Sequence, residues 1–120
     1  MSARILSIST GRVVPLALPN PHKGSQKTTR SAIVKSPVSS LQDPQSIICQ
    51  TMGLEGDQQA NHSVHGGRDK AVYCYSAEHY PFWKGALKTM EDKLARLDQH
   101  GAFGENLTIE GLTEEQVYIG

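Results

Sequence analysis

The 120-residue sequence has no apolar run of the length that a transmembrane helix needs, which is about 20 residues. Its N-terminus has turned polar by Ser7, too early for the apolar core of a secretory signal peptide. The only cysteines, Cys49 and Cys74, are too few for a disulfide framework and favour a reducing compartment. These absences predict a cytoplasmic protein without a membrane partner.

Acidic residues are absent from positions 1–42, although the whole chain balances 12 basic against 12 acidic residues. One interpretation is that the basic segment is simply neutralised by the acidic remainder within one domain. The other is that the basic segment supplies an anion site, for example for a phosphate. Segment 1–42 contains no aromatic residue and no nucleic-acid-binding motif, so nucleic acid is not a predicted partner.

The length and the hydrophobic content of 38% predict one globular domain over residues 1–120. Short β-prone runs separated by Gly- and Pro-containing turns favour a mostly β fold, which we expect to be a barrel. Both cysteines are expected to be buried as small apolar residues. The predicted strands are Arg4–Ser9, Ser31–Lys35, Lys70–Tyr75 and Asn106–Ile109.

One region of the sequence is predicted to be helical, at about residues 77–98. Ser76 is placed to cap a first helix, and the spacing of Leu87, Met90, Leu94 and Leu97 predicts a second, amphipathic one. Further on, Thr113–Gln116 has the T-x-x-Q form of a capping box. Residues 117–119 resemble the start of a strand, so we expect the fold to be incomplete at its C-terminus.

A polar, glycine-rich stretch covers residues 53–72 and is the first candidate for a functional site. His65 precedes the pair Gly66 and Gly67, and such a pair allows close approach of a ligand to the backbone. Asp57, Asp69 and Lys70 place both signs of charge nearby. A neutral imidazole beside backbone N–H groups could donate a proton or contact an anion. The alternative is an ordinary tight turn whose histidine caps a loop.

A second candidate is the segment Phe103–Leu112, in which Glu105 and Asn106 precede a predicted strand. Their side chains can hydrogen-bond either the loop backbone or a bound ligand. The loop contact is the commoner case for an Asn in a glycine-rich turn.

Five segments occur in an order that resembles the MOSC domain family, specifically its stand-alone, YiiM-like members. They are SAIVKSPV at 31–38, GLEGD with QA at 53–60, VHGGRDKAV at 64–72, Glu78-His79-Tyr80 with Trp83, and FGENL at 103–107. The resemblance implies a β-barrel that binds the molybdenum cofactor, a molybdopterin. It also implies reduction of N-hydroxylated bases such as 6-hydroxylaminopurine. Some family domains are fused to a pyridoxal-phosphate-dependent desulfurase, but this sequence has no Schiff-base lysine motif.

The resemblance also implies roles for individual residues. Lys35 with Ser31, and Lys70 or Arg68, would contact the anionic cofactor, with Gly66 and Gly67 as a backbone nest. His65 would line the metal pocket as the catalytic residue and proton donor. Four further residues would hold either the loops or the pterin: Asp57, Asp69, Glu105 and Asn106. For Asp57 and Glu105, holding the loops is favoured over direct contact with the pterin.

The family's metal-binding cysteine lies in a C-terminal segment, beyond Gly120 in this numbering, and neither Cys49 nor Cys74 occupies its position. We therefore expect a truncated and inactive form of a reductase whose partners are a small N-hydroxylated substrate and an electron-donor protein. Two alternatives stay open. One is a module that carries sulfur or cofactor without turnover, and the other is an anion-binding barrel that has lost its metal site.

Overall fold

The computed structural model describes residues 2–19, 26–63 and 66–118, and its main element is a four-stranded mixed sheet. The sheet order is β4-β1-β8-β7, in which β1 is antiparallel to both neighbours and β7 is parallel to β8. These strands are β1 (Arg4–Thr10), β4 (Ser36–Ser40), β7 (Cys74–Ser76) and β8 (Leu107–Glu110). The sheet therefore brings the two ends of the described chain side by side.

The other strands form two small antiparallel pairs. The hairpin of β2 (Val14–Pro19) and β3 (Gln26–Ser31) pairs Val14 with Ser31 at its base. The second pair, β5 (Cys49–Gln50) with β6 (Gly53–Leu54), is two residues long on each side. Among the described residues these pairs are separate from the main sheet and the strands do not close into a barrel. The mostly β class is confirmed.

The strand predicted at Ser31–Lys35 was wrong, because residues 32–35 join β3 to β4 without pairing. The prolines are compatible with strands β2 and β4, which form before and after this segment. Pro15 lies within β2 and Pro37 within β4, and both strands are at sheet edges, where a residue without an N–H is tolerated. The predicted strand Lys70–Tyr75 is likewise reduced to β7, after a 3-10 turn at Arg68–Lys70.

The helical region is confirmed, with two short helices, α1 (Tyr80–Ala86) and α2 (Glu91–Arg96). The predicted continuous helix through Leu87–Leu97 was wrong. Leu87 follows the end of α1 and Met90 precedes α2, so the regular apolar spacing spans a turn. Ser76 does not cap a helix, because its hydroxyl donates to the carbonyl of Leu112 instead. The turn at Glu114–Gln116 forms with its predicted capping box, and residues 117–118 are not strand.

The interior described by the structure is unusually polar. Buried apolar side chains are few, and they are Ala32, Leu54, Tyr80 and Leu97. Six polar residues are equally buried, namely Ser7, Ser9, Ser76, Glu105, Asn106 and Thr108. Since a buried polar group must be hydrogen-bonded to avoid a penalty of about 1–3 kcal/mol, the fold depends on specific hydrogen bonds as much as on apolar packing.

Two further expectations concern the surface. Cys49 and Cys74 are both exposed, so their predicted burial was wrong; Cys74 lies on β7, which is an edge strand with one neighbour in the sheet. Over the ranges that the structure describes, no helix has the length and apolar character needed to span a membrane.

Gly101 lies where the chain backbone has no room for a side chain. It has a φ of +86°, and a Cβ there would approach the Ser9 hydroxyl to 2.9 Å and the Lys35 carbonyl to 3.2 Å. Gly101→Ala should therefore lower the free energy of unfolding by about 2 kcal/mol. Urea unfolding followed by circular dichroism measures the change.

The matched control is Gly85→Ala in α1, where a Cβ would meet no atom within 4 Å. This change should stabilise the protein by about 0.5 kcal/mol, because alanine loses less backbone entropy in a helix. Equal effects of the two substitutions would contradict the tight contact at Gly101.

Candidate functional site

A cavity of about 600 Å³ lies between the base of the β2–β3 hairpin and the loops that follow β6 and precede β8. This volume lies within the usual range for small-molecule sites, about 300–1,000 Å³. The cavity is lined by residues 29–33 and Lys35, by residues 57–61, by Lys70, Ala71 and Tyr73, and by Phe103, Gly104 and Asn106.

The carboxylate of Asp57 connects three walls of this cavity. Its Oδ1 accepts hydrogen bonds from Lys35 Nζ at 2.8 Å and from the backbone N–H of Gly11 at 2.9 Å. Its Oδ2 accepts from Asn106 Nδ2 at 2.9 Å. Gly11 and Lys35 flank the hairpin on its two sides, so a single side chain fixes both ends of the hairpin against the loop before β8.

Lys35 and Asp57 form a buried ion pair, since their side chains are only 8% and 3% exposed. Such a pair is costly to break, because removal of one partner leaves a desolvated charge. Lys35 lines the cavity, but its ammonium group is already paired with the Asp57 carboxylate. A ligand anion that reached Lys35 would therefore compete with Asp57 for the same ammonium group.

Asn106 is the second centre of the network. Its Nδ2 also donates to the Ser9 carbonyl at 3.1 Å, and its Oδ1 accepts from the Tyr73 N–H at 3.0 Å. Its backbone N–H donates to the Tyr73 carbonyl at 2.8 Å, and its carbonyl accepts from Ser9 N–H. These bonds use both N–H groups of the side-chain amide and one acceptor position of its oxygen within the protein, and they hold Tyr73 at the cavity wall.

Glu105 is completely buried and does not reach the cavity. Its Oε2 accepts from the Tyr80 hydroxyl at 2.6 Å and from Thr108 Oγ1 at 3.0 Å, and its Oε1 accepts from Phe103 N–H at 3.0 Å. Burial, and then the hydrogen bond to Glu105, raise the pKa of Tyr80 well above its ordinary value. Glu105 thus fixes the shape of the loop that carries Phe103.

The glycine pair at 66–67 is held by Gln59, which sequence analysis did not single out. Gln59 Oε1 accepts from Gly67 N–H at 2.8 Å, and Nε2 donates to the carbonyls of Met52 and Ala71. Gly67 has a φ of +82°, and a Cβ on Gly66 would collide with the Gln59 side chain. Because the Gly67 N–H already donates to Gln59, it is not free to bind a ligand anion as the predicted backbone nest requires.

The structure brings together some of the predicted site residues and separates others. Ser31, Lys35, Asp57, Lys70 and Asn106 line the cavity. Arg68, Asp69 and Glu105 do not, and the first two have exposed side chains in a 3-10 turn. Gly66 and Gly67, predicted as a backbone nest, are not among the lining residues either. The predicted catalytic residue His65 lies outside the described residues.

Among the lining residues that were not predicted as site residues, Arg30, Tyr73 and Phe103 bring charge or aromatic surface. Arg30 and Lys70 are exposed cations at the cavity, and Arg30 is located there because β3 continues to Ser31 and ends against it. Tyr73 and Phe103 add aromatic surface. A signal for both rings was present, since Phe103 begins the FGENL segment and Tyr73 directly follows VHGGRDKAV, but the sequence alone did not show that the two segments meet.

The donor set suits the anionic, organic part of a cofactor better than a metal. Three basic side chains and one acid line the cavity. Within the part of the chain that the structure describes, no three His, Cys, Asp or Glu side chains lie close enough to hold a metal ion. Cys49 and Cys74 do not line the cavity, so neither offers it the thiolate that a soft metal such as molybdenum prefers.

Comparison with known families gives a match to the model of the MOSC domain, over residues 61–120. This is half of the chain, and it includes the segments that contribute Lys70, Tyr73, Phe103 and Asn106 to the cavity. The chain belongs to the MOSC domain family. The resemblance found in the sequence is thereby confirmed.

Individual relatives agree with the family. Uncharacterized protein YflK of Bacillus subtilis is 40% identical over 97% of this chain and 44% of its own length. Protein YiiM of Escherichia coli is 41% identical over 71% of this chain and 36% of its own length. A protein named "Reductase" from Gibberella moniliformis is 34% identical over 97% of this chain and 18% of its own length. The chain thus spans less than half of the curated relatives it matches.

A solved structure described as that of a hypothetical protein shares the fold. It superposes with a TM-score of 0.50 at 26% identity, and the match covers 92% of this chain and 39% of the other.

The role of Asp57 can be tested by Asp57→Asn, which keeps the size of the side chain and removes its charge. Because Lys35 would remain as a buried charge without its counter-ion, we expect the free energy of unfolding to fall by about 3 kcal/mol. Urea denaturation measures it. Glu55→Gln is the control, since Glu55 is exposed and its change should have little effect. A loss no larger than that of the control would disprove the buried pair.

The raised pKa of Tyr80 predicts a dependence of stability on alkaline pH. Above about pH 10 the phenol ionises in the unfolded chain but stays protonated in the folded one. Folding stability should therefore decline as the pH rises beyond that value. Tyr80→Phe lacks this titration, so its stability should decline less steeply between pH 9 and pH 11 (about one unit on each side of the ordinary tyrosine value). Parallel slopes for the two proteins would contradict the assignment.

Proposed function

We propose that this chain supplies the binding cavity of a molybdenum-cofactor-dependent reductase that acts on N-hydroxylated bases such as 6-hydroxylaminopurine. The observation that carries the proposal is the meeting of four family motif segments around one cavity. They contribute Ser31 and Lys35, residues 57–60, Lys70 with Ala71, and Phe103, Gly104 and Asn106. Membership of the MOSC family and the relative named "Reductase" support the class of reaction.

The residues that would hold the cofactor are the basic ones. Arg30 and Lys70 are exposed at the cavity, and an anionic phosphate would pair with such groups through charge-assisted hydrogen bonds. Lys35 would contribute a weaker field, because Asp57 already neutralises it. This arrangement keeps the predicted contact of Lys70, adds Arg30 and leaves out the alternative Arg68, which does not line the cavity.

The reaction consumes two electrons and two protons for each N–O bond broken. The hydroxylamino compound R–NH–OH becomes the amine R–NH₂, and the oxygen leaves as water. When bound, the molybdenum cofactor supplies the electrons, which a reduced electron-carrier protein replaces. His65 stays the predicted proton donor. We place the reaction in the cytoplasm, with a small-molecule substrate and no nucleic acid partner.

Because the chain is expected to be inactive by itself, the proposal is tested on the protein extended by the C-terminal segment that the family resemblance implies, purified from a host that makes the molybdenum cofactor. We expect bound molybdenum by elemental analysis and conversion of 6-hydroxylaminopurine to adenine with reduced methyl viologen as electron donor. The double substitution Arg30→Gln with Lys70→Gln should lower the bound cofactor at least roughly tenfold, since each charged contact contributes about 1.5–3 kcal/mol. Bound cofactor without conversion would instead support the carrier hypothesis, and absence of cofactor would refute both.

A further inference from the structure

The cavity has an aromatic side that is distinct in chemistry from its basic side. Tyr73 and Phe103 both line it, and the ring of Tyr73 belongs to a residue that is 47% exposed. For comparison, Tyr80 in the same aromatic cluster is 6% exposed. Phe103 is half-buried, because its ring also packs against Tyr75 and Tyr80. Tyr73 therefore leaves most of the aromatic surface that packing within the described chain does not use, and Phe103 adds a smaller part.

We infer that Tyr73 and Phe103 are specificity-determining residues that select flat aromatic rings among N-hydroxylated substrates. The inference rests on the proposed function and assigns to these two side chains the recognition of the substrate ring. Aromatic faces attract other flat rings by offset or edge contact, beyond the effect of burying apolar area. An aliphatic N-hydroxy compound presents no such ring and gains nothing from them.

The two rings are held in place by the surrounding structure. Both contact Tyr75, with centroid distances of 6.3 Å from Tyr73 and 4.7 Å from Phe103. The Tyr75 hydroxyl accepts a hydrogen bond from Trp83 Nε1 at 2.9 Å. A ring that is already fixed loses little side-chain entropy when a ligand binds, so the contact is stronger than one made by a mobile side chain.

The backbone of both residues is fixed as well. Asn106 makes hydrogen bonds to both the N–H and the carbonyl of Tyr73, and Glu105 accepts from the N–H of Phe103. The FGENL segment therefore positions the aromatic rings through its Glu and Asn. Glu105 does so from outside the cavity, whereas Asn106 also lines it.

Charge separates this ring subsite from the anion subsite. A purine ring bears no net charge near neutral pH, so it does not require Arg30 or Lys70, and those cations stay available for the anionic cofactor. Substitutions on the two sides of the cavity should therefore affect different ligands.

Binding can be measured without turnover, because Trp83 is the only tryptophan and lies one hydrogen bond from Tyr75. Its fluorescence is titrated with 6-hydroxylaminopurine, with acetohydroxamic acid as the aliphatic probe, and with inorganic phosphate. Tyr73→Leu and Phe103→Leu keep apolar bulk and remove the aromatic face. Each should weaken binding of 6-hydroxylaminopurine roughly fivefold to tenfold and leave phosphate binding unchanged.

Two further variants complete the test. Arg30→Gln should weaken phosphate binding and spare the purine, and Tyr118→Leu, which alters an exposed ring away from the cavity lining, should change neither. Purine affinity that survives both leucine substitutions, or an equal loss of purine and phosphate affinity with unchanged circular dichroism, overturns the inference. Selective purine loss supports it even where no molybdenum binds, so this outcome is separable from failure of the proposed reductase function.

Discussion

The hydrogen bonds of the Asp57 carboxylate are the constraint on which the cavity depends. They reach the backbone of Gly11, the ammonium group of Lys35 and the amide of Asn106, which belong to three separate parts of the chain. A carboxylate suits this position because it accepts several hydrogen bonds at once and balances a buried positive charge. It joins the base of the hairpin to the loop before β8, and the bond from Val13 N–H to Gln58 Oε1 holds the same base to the loop after β6.

The same principle extends through the interior. Glu105 organises the loop at Phe103 as Asp57 organises the base of the hairpin, and in both cases the partners are backbone N–H groups and polar side chains. A polar interior of this kind fixes geometry by direction-dependent bonds, whereas apolar packing alone tolerates rearrangement. It is a suitable frame for a binding site built mainly from loops.

The cavity that results combines two kinds of chemistry at a short distance. Arg30 and Lys70 attract anions, while Tyr73 and Phe103 offer flat apolar surface. The proposed reaction, between an anionic cofactor and an uncharged heterocyclic substrate, would use both. The family motifs supply the frame and part of the lining, and Arg30 comes from β3, just before the first of those motifs.

The sequence by itself determined the mostly β class, the helical region near residues 77–98, the turn at Thr113–Gln116 and the family, because these follow from local composition, spacing and motif order. Only the tertiary structure decided that Lys35 is neutralised by Asp57, that Glu105 is buried away from the cavity, and that Arg30, Tyr73 and Phe103 line it. The position of Pro37 within strand β4 and the exposure of Cys74 also depended on which strands became sheet edges. Each of these depends on pairing between residues far apart in the chain, which no local pattern encodes.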